Sequence, residues 1–347
     1  MIRHRMRPRR HIVLPIWLFV GLSIIGTCQA VETNESRDDT AATSARVVDN
    51  EPDADESFGS LGVNTIKAGS SSISVRKQAI SELPLDRLSN EARSKTESLL
   101  KNLGMFRRLP TLSFEADPEV YDYFLKNPDV AVATWRAMDI SKFKLQNSGL
   151  NCYRADAGDG SVGLVELFYQ STNDTLIHCD GAFKSPLLQR PIIARSLMRL
   201  QATFAREPDG RIIGTHSGDV FVEFPSPAIE TLAKVISPLS HTIADRNFKQ
   251  MTLFAHLMSQ AMARHPGWIE SIGNKLEGIE SARILEFLKV SARSHVMARH
   301  RMNANTRPTV SFSPEDVTSP FRERTVSTAL SLPVLNESPV DLSIDRN

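Results

Sequence analysis

A long apolar strand followed by a long amphipathic helix, over residues 211–264, constrains the fold more than any other feature of the sequence. The strand segment RIIGTHSGDVFVEF ends just before Ser226-Pro227, a pair typical of a helix start because Ser caps the first turn and Pro fits it. Beyond that pair, apolar residues recur at steps of three and four, which indicates one buried helical face. These residues are Ile229, Leu232, Ala233, Ile236, Leu239, Ile243, Met251, Phe254, Leu257, Met258 and Ala261.

The length of this helical segment is itself informative. A single helix over 227–264 would extend about 57 Å at 1.5 Å per residue, which a small sheet cannot cover. We therefore expect Ser237-Pro238 to break or kink the helix, since Pro lacks the amide donor that a helix interior needs.

Turn signals divide the preceding hundred residues into short strand-forming segments. Asp-Gly pairs are strong signals for tight β-hairpins, and Thr-Asn-Asp is a weaker one. The turns are Asp159-Gly160, Thr172-Asn173-Asp174 and Asp209-Gly210. The pattern predicts an antiparallel meander of five or six strands. Before it, a strand at Thr111–Ala116 precedes two short helices that begin at Asp117-Pro118 and Asn127-Pro128.

This order of elements resembles the helix-grip fold of START-like and polyketide-cyclase-like domains. The resemblance implies an α+β fold in which an antiparallel sheet is wrapped around a long C-terminal helix, with an apolar cavity between them. It also implies a hydrophobic small molecule or lipid as partner. The segments YDYFLKNPDVAVATWRAM, PLSHTIADRNF and RHPGW are similar to a group of exported proteins of planctomycete-type bacteria without an established activity.

The N-terminus has the three parts of an export signal. A basic segment, MIRHRMRPRRHIV, precedes the apolar LPIWLFVGLSIIG, and TCQA ends in a small residue. We expect cleavage after Ala30 and a periplasmic or extracellular location. The alternative is an uncleaved anchor that associates with the membrane, because Ile12–Cys28 supplies about 17 apolar residues, the lower limit for a span.

The predicted organisation has six parts, because the chain on either side of the sheet is polar or only locally apolar. They are an export signal (1–30), a disordered linker (31–78), an amphipathic helix (79–108), the helix-grip-like domain (109–265), a helical extension (266–302) and a disordered tail (303–347).

Charge and motifs limit the classes of function. The chain has 41 Lys and Arg against 40 Asp and Glu, so its balance indicates no nucleic-acid partner. We find no phosphate-binding loop, no dinucleotide fingerprint and no zinc motif, and we expect no cofactor, no metal and no catalytic residue. After cleavage two cysteines remain, Cys152 and Cys179. They are predicted on meander strands two apart, about 9.5 Å from each other, which is too far for a disulfide.

Four residues are candidates for contact with a ligand in the cavity. His216 shares strand parity with Val220, Val222 and Phe224, so it is predicted to face the apolar side. The alternatives are a core histidine with satisfied hydrogen bonds, or a bulge at Gly218 that turns His216 to solvent. Asn247 continues the helical stripe and either donates a hydrogen bond to the cavity or marks a bend. The complete set is His216, Asn247, Tyr153 and Phe224.

Two further groups carry titratable side chains. His241 and Asp245 are one helical turn apart, which suits a base with its carboxylate but also a plain exposed ion pair. In His178-Cys179-Asp180, alternation predicts Cys179 in the core and the other two on a solvent face.

We therefore predict non-catalytic binding of a hydrophobic small molecule or lipid. The alternatives are a structural or interaction protein of the cell envelope, and a cyclase- or hydrolase-type enzyme that uses His216 or Asp245. A core filled by large side chains would favour the structural protein. The side chains in question are Phe168, Phe183, Phe204 and Phe224.

Overall fold

Nine antiparallel strands form one sheet in a computed structural model of the chain, which describes residues 54–184, 191–224, 237–304 and 313–322. The strand order is β1-β3-β9-β8-β7-β6-β5-β4, and β2 pairs with the part of β9 beyond β3. The strands are β1 (Val63–Lys67), β2 (Leu103–Arg108), β3 (Thr111–Glu115), β4 (Lys144–Gly149), β5 (Cys152–Asp156), β6 (Val162–Gln170), β7 (Asp174–Phe183), β8 (Ile192–Arg206) and β9 (Ile212–Glu223).

Strands β4 to β9 form the predicted meander, each paired with its neighbour in sequence. The two Asp-Gly turns adopt the expected geometry: Gly160 has φ 98° and Gly210 has φ 85°, in the region that only glycine enters without strain. The α+β fold class and the helix-grip arrangement of elements are thus confirmed. Cys152 and Cys179 lie on β5 and β7 with β6 between them, and both are free thiols.

Helices pack on both faces of this sheet. They are α1 (Ala54–Ser60), α2 (Ile73–Ser81), α3 (Asn90–Lys101), α4 (Pro118–Lys126), α5 (Pro128–Ala137), α6 (Ser237–Arg264), α7 (Pro266–Gly273), α8 (Ser281–Ala304) and α9 (Pro314–Arg322), with a 3-10 turn at Leu85–Arg87. Helix α4 begins where predicted, because the Asp117 side chain accepts from Glu119 N at 3.0 Å and Pro118 occupies the first turn.

The long helix α6 lies on what we call the inner face of the sheet, together with α4 and α5. It is described over 28 residues, from Ser237 to Arg264, and Pro238 lies in the first described turn. The predicted helical segment before Ser237 lies outside the described residues. Inner-face side chains of β9, among them Val220 and Val222, join the main apolar core.

The opposite face, here called the outer face, is covered by α2 and α3. A second apolar cluster forms there, in which Leu99 of α3 packs with Leu176, Leu197 and Phe221 of the sheet. The disorder predicted for 31–78 is therefore wrong for residues 54–78, which form α1, β1 and α2. Although this segment is poor in apolar residues, Phe58 and Val63 are each buried against the rest of the domain.

Two further boundaries differ from prediction. The helix expected over 79–108 is shorter, because Ser89 caps α3 and residues 103–108 extend to pair with β9 as β2. Within the tail expected to be disordered, α9 packs on the domain through buried Val317 and Phe321. The helical segment expected over 266–302 comprises α7 and α8. Residues 1–53, and with them the segment predicted to be an export signal, lie outside the described part of the chain.

Among the described helices, none is long and apolar enough to cross a lipid bilayer.

Candidate functional site

An apolar pocket of about 50 Å³ lies between the inner face of the sheet and helices α4, α5 and α6. The sheet contributes only β8 and β9 side chains, and the helices supply the rest. The lining residues are Tyr121, Phe124, Leu125, Ala131, Val132, Trp135, Leu200, His216, Met251, Phe254 and Ala255.

Aromatic rings hold the helical wall of the pocket in place. The Phe254 ring of α6 lies 5.2 Å from the Phe124 ring and 5.3 Å from the Trp135 ring, measured between centroids. Such tilted contacts stabilise ring pairs beyond the burial of their area. Among the lining residues, Leu125 and Met251 are partly exposed and the others are buried. Leu125 of α4 and Met251, at the middle of α6, therefore mark the side of the pocket that is nearest to solvent.

One hydrogen-bonded chain crosses the pocket wall at His216. Thr252 Oγ1 donates to the Phe248 carbonyl at 3.0 Å, so its single proton is used there. His216 Nδ1 therefore donates to Thr252 Oγ1 at 2.9 Å, and His216 Nε2 accepts from the Tyr121 hydroxyl at 3.0 Å. Both ring nitrogens have partners, and the ring is assigned as the neutral tautomer with its proton on Nδ1.

Burial keeps His216 and Tyr121 uncharged. Only 1% of His216 is exposed, and the loss of water lowers its pKa from 6.5 to about 3. Burial likewise raises the pKa of Tyr121. Both groups are therefore neutral around pH 7. The predicted inner orientation of His216 is correct, and it has the satisfied hydrogen bonds that the core-histidine alternative required.

The other predicted cavity residues fall in different places. Tyr153 on β5 and Phe224 just beyond β9 are buried in the main core, but neither lines the pocket. Asn247 lies on α6 one turn before Met251, half-buried. Its Nδ2 atom is buried without a hydrogen-bond partner among the described residues.

Sequence reasoning missed Tyr121 and Thr252, the two partners of His216. Tyr121 lies in α4, far from His216 in sequence, and only the docking of α4 on the sheet brings them together. Thr252 follows Phe248 by four residues on α6, and a polar residue beside the apolar stripe was the one available signal.

Asp245 and His241 lie away from the pocket lining. Asp245 accepts two hydrogen bonds from Arg107 of β2, one of them from Nε at 3.0 Å. His241 Nε2 is 3.3 Å from Ser71 Oγ, and burial lowers the His241 pKa, as does Arg107, whereas Asp245 opposes that shift. Asp245 thus helps to attach α6 to the sheet.

His178 is not on a solvent face, contrary to prediction. It is 3% exposed beneath α3, where its ring stacks on Phe168 at 4.8 Å and its Nδ1 is 3.3 Å from Glu166. Burial lowers the His178 pKa, and Glu166 opposes the shift. Cys179 is in the core as predicted, and burial raises its pKa to about 12. In the described parts of the chain, no three His, Cys, Asp or Glu side chains are grouped as a metal site would need.

Comparison with known proteins finds no matching family model and no matching curated protein. Among solved structures, a conserved protein from Geobacillus kaustophilus is 13% identical, with a TM-score of 0.27 over 42% of this chain and 94% of that one. Ara h 8.0201 is 11% identical, with a TM-score of 0.23 over 41% of this chain and 98% of that one. Human STARD10 is 10% identical, with a TM-score of 0.22 over 47% and 66%. These similarities do not show the resemblance to exported planctomycete-type proteins, and the fold assignment stands on the strand order and helix placement described above.

Proposed function

We propose that this protein binds a small, uncharged hydrophobic molecule, or the apolar part of a lipid, in the pocket between the sheet and α6, without catalysis. The observation that carries the proposal is the lining itself. Apart from the Tyr121–His216 pair and the indole N–H of Trp135, every lining group is apolar, and the Tyr121–His216 pair is neutral and hydrogen-bonded. A concave apolar site with few polar groups is the usual form of a small-molecule site.

The absence of charged side chains from the pocket lining disfavours ionic ligands. A charged group moved into such a site loses its hydration, and no opposite charge among the lining side chains would compensate. Neutral apolar groups lose nothing comparable and gain about 25 cal/mol for each Å² of area removed from water.

The volume limits the size of what enters. Drug-sized ligands occupy sites of roughly 300 to 1,000 Å³, whereas this pocket measures about 50 Å³. An apolar cavity that holds benzene measures about 150 Å³, so only the end of an alkyl chain or the edge of a ring fits here without rearrangement. A larger molecule would place one end inside and leave the rest beyond the opening near Leu125 and Met251. Met251 is an adaptable side chain at that opening, because its unbranched thioether changes rotamer at little cost.

Native mass spectrometry of the protein purified from its own host tests the proposal, followed by organic extraction and analysis of the extract. We expect a stoichiometric hydrophobic molecule. A clean apo mass, together with no thermal stabilisation by toluene, would overturn the binding function.

Two pocket variants locate the binding. Ala131→Leu fills the pocket and should reduce toluene-induced stabilisation, whereas Val132→Ala enlarges the pocket and should preserve or increase it. Both residues lie on α5 and both line the pocket, so each controls for general disturbance of that helix. Equal responses of the two variants would place the binding elsewhere.

A second candidate function is a structural or interaction protein of the cell envelope, and the small pocket volume favours it. Phe183 and Phe224 are buried in the main core and Phe204 packs against it, as a filled interior requires. Phe168 contributes nothing to this filling, because it lies on the outer face against His178. Failure of all ligand uptake in the experiments above would favour this function.

The enzyme alternative has less support from the geometry. Both nitrogens of His216 are engaged within the protein, and its lowered pKa leaves the ring neutral around pH 7, with its one proton donated to Thr252. Asp245, the other proposed catalytic residue, is held by Arg107 outside the pocket.

We also propose that the protein is exported, on the basis of the basic and apolar segments that precede Ala30. N-terminal sequencing of the protein isolated from its host tests this proposal. A mature N-terminus at Val31 is the expected result, whereas an intact N-terminus in the membrane fraction would indicate the uncleaved anchor.

A further inference from the structure

Asn247 is a polar residue on the pocket-facing side of α6. It precedes Met251 by four residues and Phe254 by seven, so helical spacing places all three on one face. Met251 and Phe254 line the pocket, and Met251 lies at its opening. The neighbouring residues Ile243 and Ala244, one turn earlier, pack against the main core. Asn247 is thus a single amide in an otherwise apolar stripe.

The amide nitrogen of Asn247 has no hydrogen-bond partner among the described residues, although the atom is buried. A buried donor without a partner destabilises the folded protein, whereas an apolar side chain of similar size at that position would not. His216 is the polar side chain that the sheet contributes to the pocket, and both of its ring nitrogens have hydrogen-bond partners. Asn247 Nδ2 is therefore a buried donor without a partner among the described residues, one helical turn before Met251.

We propose that the ligand carries a carbonyl-type oxygen beside its apolar body, and that Asn247 donates a hydrogen bond to this oxygen at the pocket opening. The inference rests on the proposed binding function and specifies its ligand class as a neutral ketone, aldehyde, ester or amide with a small apolar group. The apolar group enters the pocket, and the oxygen stays near α6. Asn247 then determines specificity, since a ligand without an acceptor leaves its amide unpaired.

Two probes of equal shape test this assignment on the whole protein. Acetophenone and α-methylstyrene differ only in a carbonyl oxygen that replaces a methylene group. Their dissociation constants are measured by calorimetry for the wild type, for Asn247→Leu and for Gln260→Leu. Gln260 is a matched control, because it is a partly exposed amide residue on the same helix, about half a turn away from the pocket face.

We expect the preference for acetophenone over α-methylstyrene to fall about tenfold in Asn247→Leu and to stay unchanged in Gln260→Leu. The two probes differ in their hydration free energies, but this difference is the same for every variant. It therefore cancels when the ratio of their dissociation constants is compared between variants. An unchanged ratio in Asn247→Leu would overturn the inference while leaving the binding function intact. Absence of binding of either probe to the wild type would instead overturn the binding function, and the inference with it.

The stability of the ligand-free variants provides an independent readout. Because the amide lacks a partner, Asn247→Leu should unfold at the same temperature as the wild type or at a higher one. Asn247→Ala removes the amide without adding volume. If both variants lose their fold, the amide serves the ligand-free structure and the inference is wrong.

Discussion

The inner and outer faces of the sheet bury side chains by different means. The inner face packs apolar residues and the neutral Tyr121–His216–Thr252 group against α4, α5 and α6, together with the Arg107–Asp245 ion pair between β2 and α6. The outer face packs α2 and α3 through a small apolar cluster, and it also carries a set of ion pairs. Lys95–Glu166 joins α3 to the sheet, and three pairs join neighbouring strands, namely Arg108–Asp219, Arg195–Glu223 and Arg199–Asp174. The pocket on the inner face is therefore lined by uncharged side chains, whereas the outer face carries charged side chains beneath the N-terminal helices.

Strand alternation produces this division along β9. Asp219, Phe221 and Glu223 point outward, whereas Val220 and Val222 point inward, because successive side chains leave opposite faces. The register between the two strands then brings opposite charges together, since Arg195 on β8 lies directly opposite Glu223 on β9. One strand thus serves a charged face and an apolar face at the same time.

The largest expected effect comes from breaking an outer-face ion pair. Asp219 accepts two hydrogen bonds from Arg108, at 2.7 and 2.9 Å, and its side chain is 4% exposed. Asp219→Ala leaves Arg108 partly buried without its main partner, and we expect a loss of about 3 kcal/mol in the free energy of unfolding. Urea denaturation measures it.

The control for this prediction is Asp86→Ala. Asp86 pairs with Arg93 but its side chain is 96% exposed, so its loss should leave the urea midpoint nearly unchanged. Similar losses in the two variants would contradict the distinction between buried and exposed pairs.

A smaller effect is expected for the pH dependence of stability, which should differ between His216 on the inner face and His178 on the outer face. The folded-state pKa of His216 is about 3, below its unfolded value of 6.5, so the unfolded chain takes up the extra proton first. His216 therefore costs no stability above about pH 6.5, and from there the protein loses stability as pH falls, by about 2 kcal/mol at pH 5. Urea titrations of wild type and His216→Gln between pH 8 and pH 5 should differ by that amount.

His178 on the outer face provides the comparison. Burial lowers its pKa as well, but Glu166 opposes the shift, so His178→Gln should change the pH dependence less than His216→Gln. An equal or larger change in His178→Gln would show that the Glu166 carboxylate does not compensate for burial.

The smallest effect concerns buried hydroxyls without a partner among the described residues, of which we compare one from each face. Thr175 on β7 lies opposite Leu200 on the inner face, and Thr96 belongs to α3 on the outer face. Both are fully buried, and neither Oγ1 has a hydrogen-bond partner among the described residues. Thr175→Val and Thr96→Val should each raise stability by about 1 kcal/mol, measured by thermal denaturation. A decrease in either variant would indicate an ordered water bound to that hydroxyl.

Local signals predicted the meander and the start of α4 well. Asp159-Gly160 and Asp209-Gly210 form the expected turns, and Asp117 caps α4, because each of these depends on a few neighbouring residues. The inward orientation of His216 followed from alternation along one strand. Its partners Tyr121 and Thr252 could not be predicted, since they come from two other elements.

The N-terminal region shows where composition fails as a guide. Residues 54–78 have few apolar side chains, which predicted disorder, yet Phe58 and Val63 are buried and β1 pairs with β3. A few well-placed contacts with an existing core can order a segment that could not form a core alone. Such contacts depend on the completed sheet and leave no periodic trace in the segment.

The sequence by itself determined the order of elements from β3 to β9, the hairpin turns and which side chains of β9 face inward, because these depend on neighbours within a few residues. Only the tertiary structure decided that α2 and α3 cover the outer face and that Tyr121, His216 and Thr252 meet in one chain. The pocket volume of about 50 Å³ is also tertiary. It is the small space left where α4, α5, α6 and the sheet dock, and no single segment encodes that remainder.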